Sequence, residues 1–345
     1  MFHRRALTAL TLALAGSAAM AANPISLCVW DPIGQGGQIF DAAKGYALAM
    51  SKYGADIKLK AFTDEGVAAE EFKVGQCDGL LATSIRTKVY NPVTAMMDTG
   101  GAATITRDGK VDMEASYKVI YKAMQVLASP QAGKFTVQDR WEIAGVMPMG
   151  PIYVMVRDKT LFKKGFTGTR MPAFEHDKAQ AYLIAKIGAQ PVSVDTKTFV
   201  SKFNNGATDM VFAPAVAYQP LEIFKGVGKD GGVGRFPLTF ASLQLVFERS
   251  KLPEGLAAKS RQYWVEQFDD IITTVKKAET GIPANVWVEF QQEEAMKFIA
   301  NQRDLRVELA QKGMYDKQGL KFMKRVRCSV YAEAPECSNN VELDW

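Results

Sequence analysis

Gly168–Gly226 reads GTRMPAFEHDKAQAYLIAKIGAQPVSVDTKTFVSKFNNGATDMVFAPAVAYQPLEIFKG, and its apolar residues alternate between short runs and helical spacing. Thr169–Met171 reads as a strand. Asp177–Ile187 reads as a helix, with Gly188 in place to end it. Pro191–Val194 is a strand, Thr196–Asn204 a helix stopped by Asn205-Gly206, and Asp209–Phe212 a further strand. Ala217–Phe224 begins another helix. Strands alternating with helices in this way predict a parallel sheet with right-handed crossovers.

The same grammar appears toward the N-terminus. Ile25–Trp30 is an apolar strand-like run, followed by the turn Asp31-Pro32-Ile-Gly34-Gln-Gly36-Gly37. Helices over Gln38–Tyr53 and Glu65–Val74 then alternate with strands over Ala55–Phe62 and Gly79–Ala82. Asp112–Leu127 has the spacing of an amphipathic helix. Trp141–Val156 is apolar and β-rich but is broken by Met147-Pro-Met-Gly-Pro151, which predicts a crossing between two lobes. Phe240–Phe247 reads as a strand returning to the first lobe, and helices at roughly 254–278, 291–310 and 316–326 finish the chain. The expected division is lobe 1 over 23–145, completed by part of 240–345, and lobe 2 over 146–239. In such open sheets a ligand binds beyond the carboxyl ends of the strands, between the lobes.

The chain has 345 residues, 48% hydrophobic, 23% charged and 10% aromatic, which excludes a collagenous, coiled-coil or wholly disordered protein. That length suits about two domains. Residues 1–22 begin with Arg4 and Arg5, continue through an apolar run over Ala6–Ala15 and end in Ala19-Met20-Ala21. This is the form of a secretory signal peptide. The run is too short for a membrane anchor, and no later segment has the length of a membrane span. Removing the segment takes away two arginines and no acids, so the net charge falls from +5 to +3. That mild excess gives no reason to expect nucleic acid as a partner.

Four cysteines, Cys28, Cys77, Cys328 and Cys337, remain in an exported chain and favour disulfides. Three pairings are open. The near pair Cys328–Cys337 closes a short loop containing Pro335, and Cys28–Cys77 would be the other bridge. The two histidines, His3 and His176, rule out a zinc site built from several histidines. No metal and no cofactor is expected.

The motifs each carry a plain alternative. Gly34-Gln-Gly36-Gly37 precedes a helix N-terminus, where backbone N–H groups suit an anion, but a tight turn explains it as well. Asp31, Asp64, Glu65 and Asp78 lie near strand ends and read first as helix caps and loop acids. Thr83 and Ser84 follow a strand without a nucleophile elbow. Met147 and Met149 suit core filling better than a soft metal. Arg170 sits at the end of a short strand facing the expected cleft, where it either grips a carboxylate or makes a surface ion pair.

The stretch quoted first resembles the solute-binding proteins of TRAP transporters, the DctP family. The resemblance rests on Gly168-Thr-Arg170-Met-Pro172, Ile187-Gly-Ala-Gln-Pro191-Val192 and Asn205-Gly206-Ala-Thr-Asp209. Cys28-Val-Trp-Asp-Pro32, Phe203-Asn-Asn-Gly206, Ala213-Pro214 and Arg327-Cys328 are similar to a less studied branch of solute-binding proteins, over nearly the whole mature chain. The resemblance implies an α/β fold of the type II periplasmic-binding-protein kind: two α/β lobes, a central cleft and C-terminal helices. It also implies that Arg170 pairs with a ligand carboxylate, with Arg157 matching a second family arginine. The family often has an Asn after its Gly-x-x-Asp strand. Here the chain reads Phe212-Ala-Pro-Ala215, which puts a standard dicarboxylate or sialic-acid ligand in question.

Three functions follow. The first is an exported, periplasmic solute-binding protein without catalysis, holding a small, carboxylate-bearing ligand for a TRAP-like membrane permease. Trp30, Gln35, Arg86, Tyr218 and Gln244 join Arg170 and Arg157 as expected ligand contacts, by their positions at strand ends and lobe crossings. The second is an envelope scaffold on the same fold that has lost its ligand. The third is an enzyme, for which no nucleophile–base pair or metal cluster speaks.

Overall fold

The computed structural model describes residues 24–345; the segment 1–22, read as a signal peptide, lies outside them. Lobe 1 begins with β1 (Ile25–Trp30), α1 (Gln38–Ser51), β2 (Ile57–Phe62), α2 (Glu65–Lys73) and β3 (Gly79–Thr83). β1 lies between β2 and β3 and is parallel to both, as strand–helix alternation requires. Asp64 and Asp112 cap α2 and α3 (Met113–Ala128), each accepting hydrogen bonds from first-turn amides.

β4 (Trp141–Val156) carries the chain into lobe 2. There the order is β5 (Arg170–Phe174), α4 (Lys178–Lys186), β6 (Gln190–Val194), α5 (Phe199–Asn204), β7 (Met210–Pro214) and β8 (Gly232–Gly234). β5 and β6 pair in parallel, whereas β7 and β8 both run antiparallel to β4. The all-parallel sheet expected from this stretch is therefore only half realised.

β9 (Thr239–Glu248) returns and lies antiparallel between β4 and β3. β4 and β9 thus belong to both lobes and form the crossing. The proline-rich stretch of β4 is not a break. It stays in the strand through a bulge of β4 itself, where Met149 is the extra residue between Pro148 and Gly150, which pair with Ser242 and Ala241 of β9; such a bulge bends a strand pair while keeping it joined.

The chain ends with α6 (Leu256–Glu266), α7 (Phe268–Thr280), the short β10 (Trp287–Val288), α8 (Gln292–Gln311) and α9 (Lys317–Val330). The single helix expected over 254–278 is two helices meeting at Gln267. Two main cores follow. One joins Leu27, Val29, Leu80, Val246, Trp264 and Met323; the other joins Tyr153, Phe203, Val211, Tyr218, Val233 and Ile282. Ile282 lies in the lobe 2 core and β10 pairs with β8, so the C-terminal third completes both lobes.

Both disulfides form as Cys28–Cys77 and Cys328–Cys337, with Cα separations of 5.8 and 5.6 Å. By loop-closure entropy the longer loop is worth about 4 kcal/mol and the shorter about 3 kcal/mol. A buried ion network holds the C-terminal segment. Glu342 accepts from Arg306 and Arg327, and Glu336 also accepts from Arg327. Burial opposes the charge on both glutamates, but the neighbouring arginines hold their carboxyls below the usual range. This network seats α8 against the cleft.

Candidate functional site

A cleft of about 900 Å³ opens between the lobes, beside the crossing strands. That is the upper part of the range for small-molecule sites, roughly 300–1,000 Å³. Its two walls are built differently.

Lobe 2 offers a sheet face. Along β7, Met210, Phe212 and Pro214 line the cleft, while Val211 and Ala213 point into the lobe 2 core. Along β4, Ile152 and Val154 line the cleft while Tyr153 and Met155 point into the core. This is the period-2 alternation of a strand, here with both faces apolar. Met171 from β5 and Ile184 from α4 extend the wall.

Lobe 1 offers strand ends and loops. β1 ends in Trp30-Asp31 and β3 in Thr83-Ser84, both pairs in the lining. Asp31 is 1% exposed and accepts from the amides of Ile33 at 2.8 Å and Phe40 at 3.0 Å. Its carboxylate therefore occupies the N-terminus of α1. A Cβ on Gly37 would lie 2.0 Å from an Asp31 oxygen, so that position requires glycine. The Gly34–Gly37 turn is thus a seat for an internal carboxylate and not a phosphate cradle. Glu65 and Asp78 are likewise structural: Glu65 accepts from the Thr83 amide and Asp78 from the Ser26 amide and hydroxyl.

Asp98 shows part of its side chain to the cleft, although protein surrounds it. Its carboxylate accepts from the amide of Ser242 at 2.8 Å and from the Ser242 hydroxyl. The Ser84 hydroxyl donates to it as well. Ser242 sits beside the Met149 bulge of β4, opposite Pro148, which has no N–H, and its own amide turns to Asp98. Among the described residues Asp98 makes no ion pair. Burial pushes its carboxyl up to about 7, with the three serine hydrogen bonds only partly opposing the rise.

Two cations line the cleft, and both are paired. Lys88 lies 3.2 Å from Asp177, reaching from lobe 1 to the N-cap of α4 in lobe 2. Arg306 is held by Glu342 and donates to the Gly100 carbonyl. Among the described residues, three buried polar atoms of the lining have no hydrogen-bond partner: the Trp30 indole N–H, the Thr83 hydroxyl and the Oε1 of Gln302. Gln302 donates through Nε2 to the Leu238 carbonyl, and its amide oxygen accepts no hydrogen bond.

Of the residues expected from sequence, only Trp30 lines the cleft. Arg170 begins β5 instead of ending it and does not line the cleft, although its neighbour Met171 does. Arg170 pairs with Asp209, with an Nη2–Oδ1 distance of 2.5 Å, and its side chain is 45% exposed. Asp209 also accepts the Arg170 amide, so the matched arginine and aspartate join β5 to the start of β7. Arg157 donates to the Phe203 and Asn204 carbonyls and caps the end of α5. Arg86 faces Glu65 at 3.5 Å. Gln35 is exposed on the turn before α1. Tyr218 is buried in the lobe 2 core. Gln244 is fully buried and accepts from the Thr87 and Thr94 hydroxyls.

Sequence reading missed Asp98, Ser242, Gln302 and the apolar wall. Asp98 ends a short 3-10 turn, Met96–Asp98, that carries no motif. The wall was visible only as ordinary strand hydrophobicity. Among the described residues there is no group of His, Cys, Asp or Glu able to hold a metal, and no helix long and apolar enough to cross a membrane.

Three comparisons complete the description. The family model for "Solute-binding protein AdeT 1/2" matches residues 52–342. "Probable solute-binding protein AdeT1" of Acinetobacter baumannii is 37% identical over 317 residues, covering 91% of this chain and 100% of that protein. Among solved structures, a TRAP periplasmic solute-binding protein from Desulfovibrio salexigens with bound orotic acid aligns with a TM-score of 0.67 at 13% identity. The alignment covers 89% of this chain and 99% of that one. The periplasmic ectoine-binding protein of the TeaABC TRAP transporter from Halomonas elongata aligns with a TM-score of 0.70 at 10% identity, covering 90% and 100%. At these identities the two structures establish the shared two-lobed fold.

Proposed function

The chain belongs to the AdeT 1/2 family of solute-binding proteins, and from that premise we propose that it captures a small carboxylate-bearing solute in the periplasm, without catalysis, and hands it to a membrane permease. The observation that carries this reading is the cleft itself. It lies between two lobes joined by β4 and β9, and ion pairs span its mouth from Lys88 to Asp177 and from Lys197 to Asp64. A cleft closed by opposing lobes suits capture by hinge motion.

Orotic acid, bound by the Desulfovibrio salexigens protein, is a carboxylic acid, which supports the same ligand class here. In this cleft a carboxylate has two donors within lobe 1. One is the unpartnered Trp30 indole N–H, and the other is Lys88 on exchange of its Asp177 partner.

The test is thermal unfolding of the exported protein against a panel of small carboxylates, paired with small-angle scattering. A ligand at 100 times its dissociation constant adds about 2.7 kcal/mol of stability. The expected result is a rise in Tm accompanied by loss of any open population. A panel that leaves both Tm and scattering unchanged counts against solute capture and favours the scaffold reading.

A further inference from the structure

One helix, α8, lines the cleft and also meets both lobes. A helix turns by about 100° per residue, so the lining residues Phe298, Gln302, Leu305 and Leu309 form a single stripe along it. Arg306 and Glu308 fall on the two flanks of that stripe, roughly 160° apart. Arg306 reaches lobe 1, where it donates to the Gly100 carbonyl and pairs with Glu342. Glu308 reaches lobe 2, where it accepts from the Tyr182 hydroxyl and from the Lys186 ammonium of α4. Lys312, just past the end of α8, stands 5.1 Å from the centre of the Tyr182 ring. On the facing side, Gln180, Leu183 and Ile187 at α4 line the cleft.

The two flanks are not equally strong. The side chains of Arg306 and Glu342 are buried, and a buried pair is costly to break because each partner leaves the other charged and dry. Lys186 is 44% exposed and Glu308 27%, so water replaces each contact as it is lost. Nor does a shared core join the two helices. Ile184 of α4 packs with Val154, Met171 and Met210 in lobe 2. Ala310 of α8 packs with Ala95, Met96 and Leu320. At the crossing, by contrast, β4 and β9 pair from Trp141 to Ile152. Separation therefore costs least at the seam between α4 and α8.

We propose that α8 is a strap over the cleft, fixed to lobe 1 through Arg306 and latched to lobe 2 through Glu308, and that the cleft opens at this seam when Glu308 releases Tyr182 and Lys186. The inference rests on the solute-binding reading above and adds the place where the cleft opens and the residue that holds it shut. Glu308 is a positioning residue, since it acts on the cleft by holding α4 against the strap. Lys88 meets the other end of α4 through the N-cap Asp177, so the seam has a polar contact at each end of that helix.

The test reads the seam without any ligand, so its failure leaves solute capture standing. All four cysteines are in disulfides, and nitroxide labels therefore go only to introduced ones, Asn205→Cys in lobe 2 and Gln311→Cys on α8, both exposed positions. Double electron–electron resonance gives the distances between them. Glu308→Ala is expected to raise the ratio of long to short distances about tenfold, the combined worth of an exposed ion pair and a hydrogen bond to a charged group. Lys186→Ala keeps the tyrosine bond and should raise it about threefold. Glu308→Lys should exceed Glu308→Ala, and adding Lys186→Glu to it should lower the ratio again by about threefold, a recovery that a merely structural glutamate would not give. Identical distributions in the parent and Glu308→Ala overturn the latch. A rise in Glu308→Lys that Lys186→Glu fails to reverse overturns the pairing on which it depends.

Discussion

The two lobes meet the cleft with opposite chemistry although both are built from strand–helix units. Lobe 2 presents the face of a sheet, so its lining follows the alternation of β4 and β7 and is apolar almost throughout. Lobe 1 presents the ends of β1 and β3 and the short turn ending at Asp98, where the chain turns and polar residues cap, bend and terminate. A strand face inherits the pattern that buries it, whereas a strand end inherits the chemistry of turns. The same grammar therefore gives one wall that accepts hydrocarbon and one that accepts hydrogen bonds. Four experiments break or sharpen this contrast.

The largest effect is expected where the polar side is anchored. Glu342 is 2% exposed and accepts from both Arg306, which lines the cleft, and Arg327. Glu342→Ala leaves two buried guanidinium groups short of their counter-ion, and breaking a buried pair costs about 3–5 kcal/mol. Urea unfolding should show that loss. A variant within 1 kcal/mol of the parent would mean that the network does not seat α8.

Asp98 comes next, and its contribution depends on pH. Its folded value of about 7 lies above the ordinary 3.8, so the folded state holds a proton that the unfolded state has released. The stability from this group is fully present below about pH 4 and is lost as pH rises through about 7. The shift corresponds to roughly 4 kcal/mol at most. The difference in unfolding free energy between parent and Asp98→Asn should therefore move in favour of the variant between pH 4 and 8. A difference that is flat across that range would show that Asp98 titrates like an exposed carboxylate and that the polar wall is wet.

Lys88 and Asp177 join the two walls across the mouth at 3.2 Å, each about a quarter exposed. Lys88→Ala should cost only roughly 0.5 kcal/mol of stability. Its visible consequence is geometric: scattering without ligand should report a larger radius of gyration than the parent. An unchanged radius would assign closure to packing at the crossing strands instead.

Much of this architecture was legible. The strands and helices from Ile25 to Thr83 and from Arg170 to Pro214 follow apolar spacing, and the presence of disulfides follows from the cysteine count and the compartment, which leave three pairings open. Three features were not legible, each for a physical reason. The proline-rich stretch of β4 reads as a break because prolines lack an N–H, yet a bulge within it at Met149 keeps it paired with β9. The partners of Asp98 are 14 and 144 residues away in sequence, at Ser84 and Ser242, so no local pattern marks it. The apolar wall has the composition of a core strand, and only its second face, turned to the cleft, makes it part of a site.

The smallest effect is expected at Arg170, the residue that sequence resemblance singles out. A motif fixes neither the bounds of a strand nor its phase, and successive side chains along a strand point to opposite faces. The Arg170 side chain is outside the lining while that of Met171 beside it is in it, and Asp209 already takes the guanidinium. Arg170→Ala should leave the ligand-induced rise in Tm unchanged, because the side chain neither lines the cleft nor touches a residue that does so through its charge. Asp209→Ala should behave in the same way. If Arg170→Ala abolishes the rise while Asp209→Ala leaves it intact, the arginine must leave Asp209 and reach the ligand on closure. The polar end of the ligand would then lie on lobe 2, and the assignment of the two walls would be reversed.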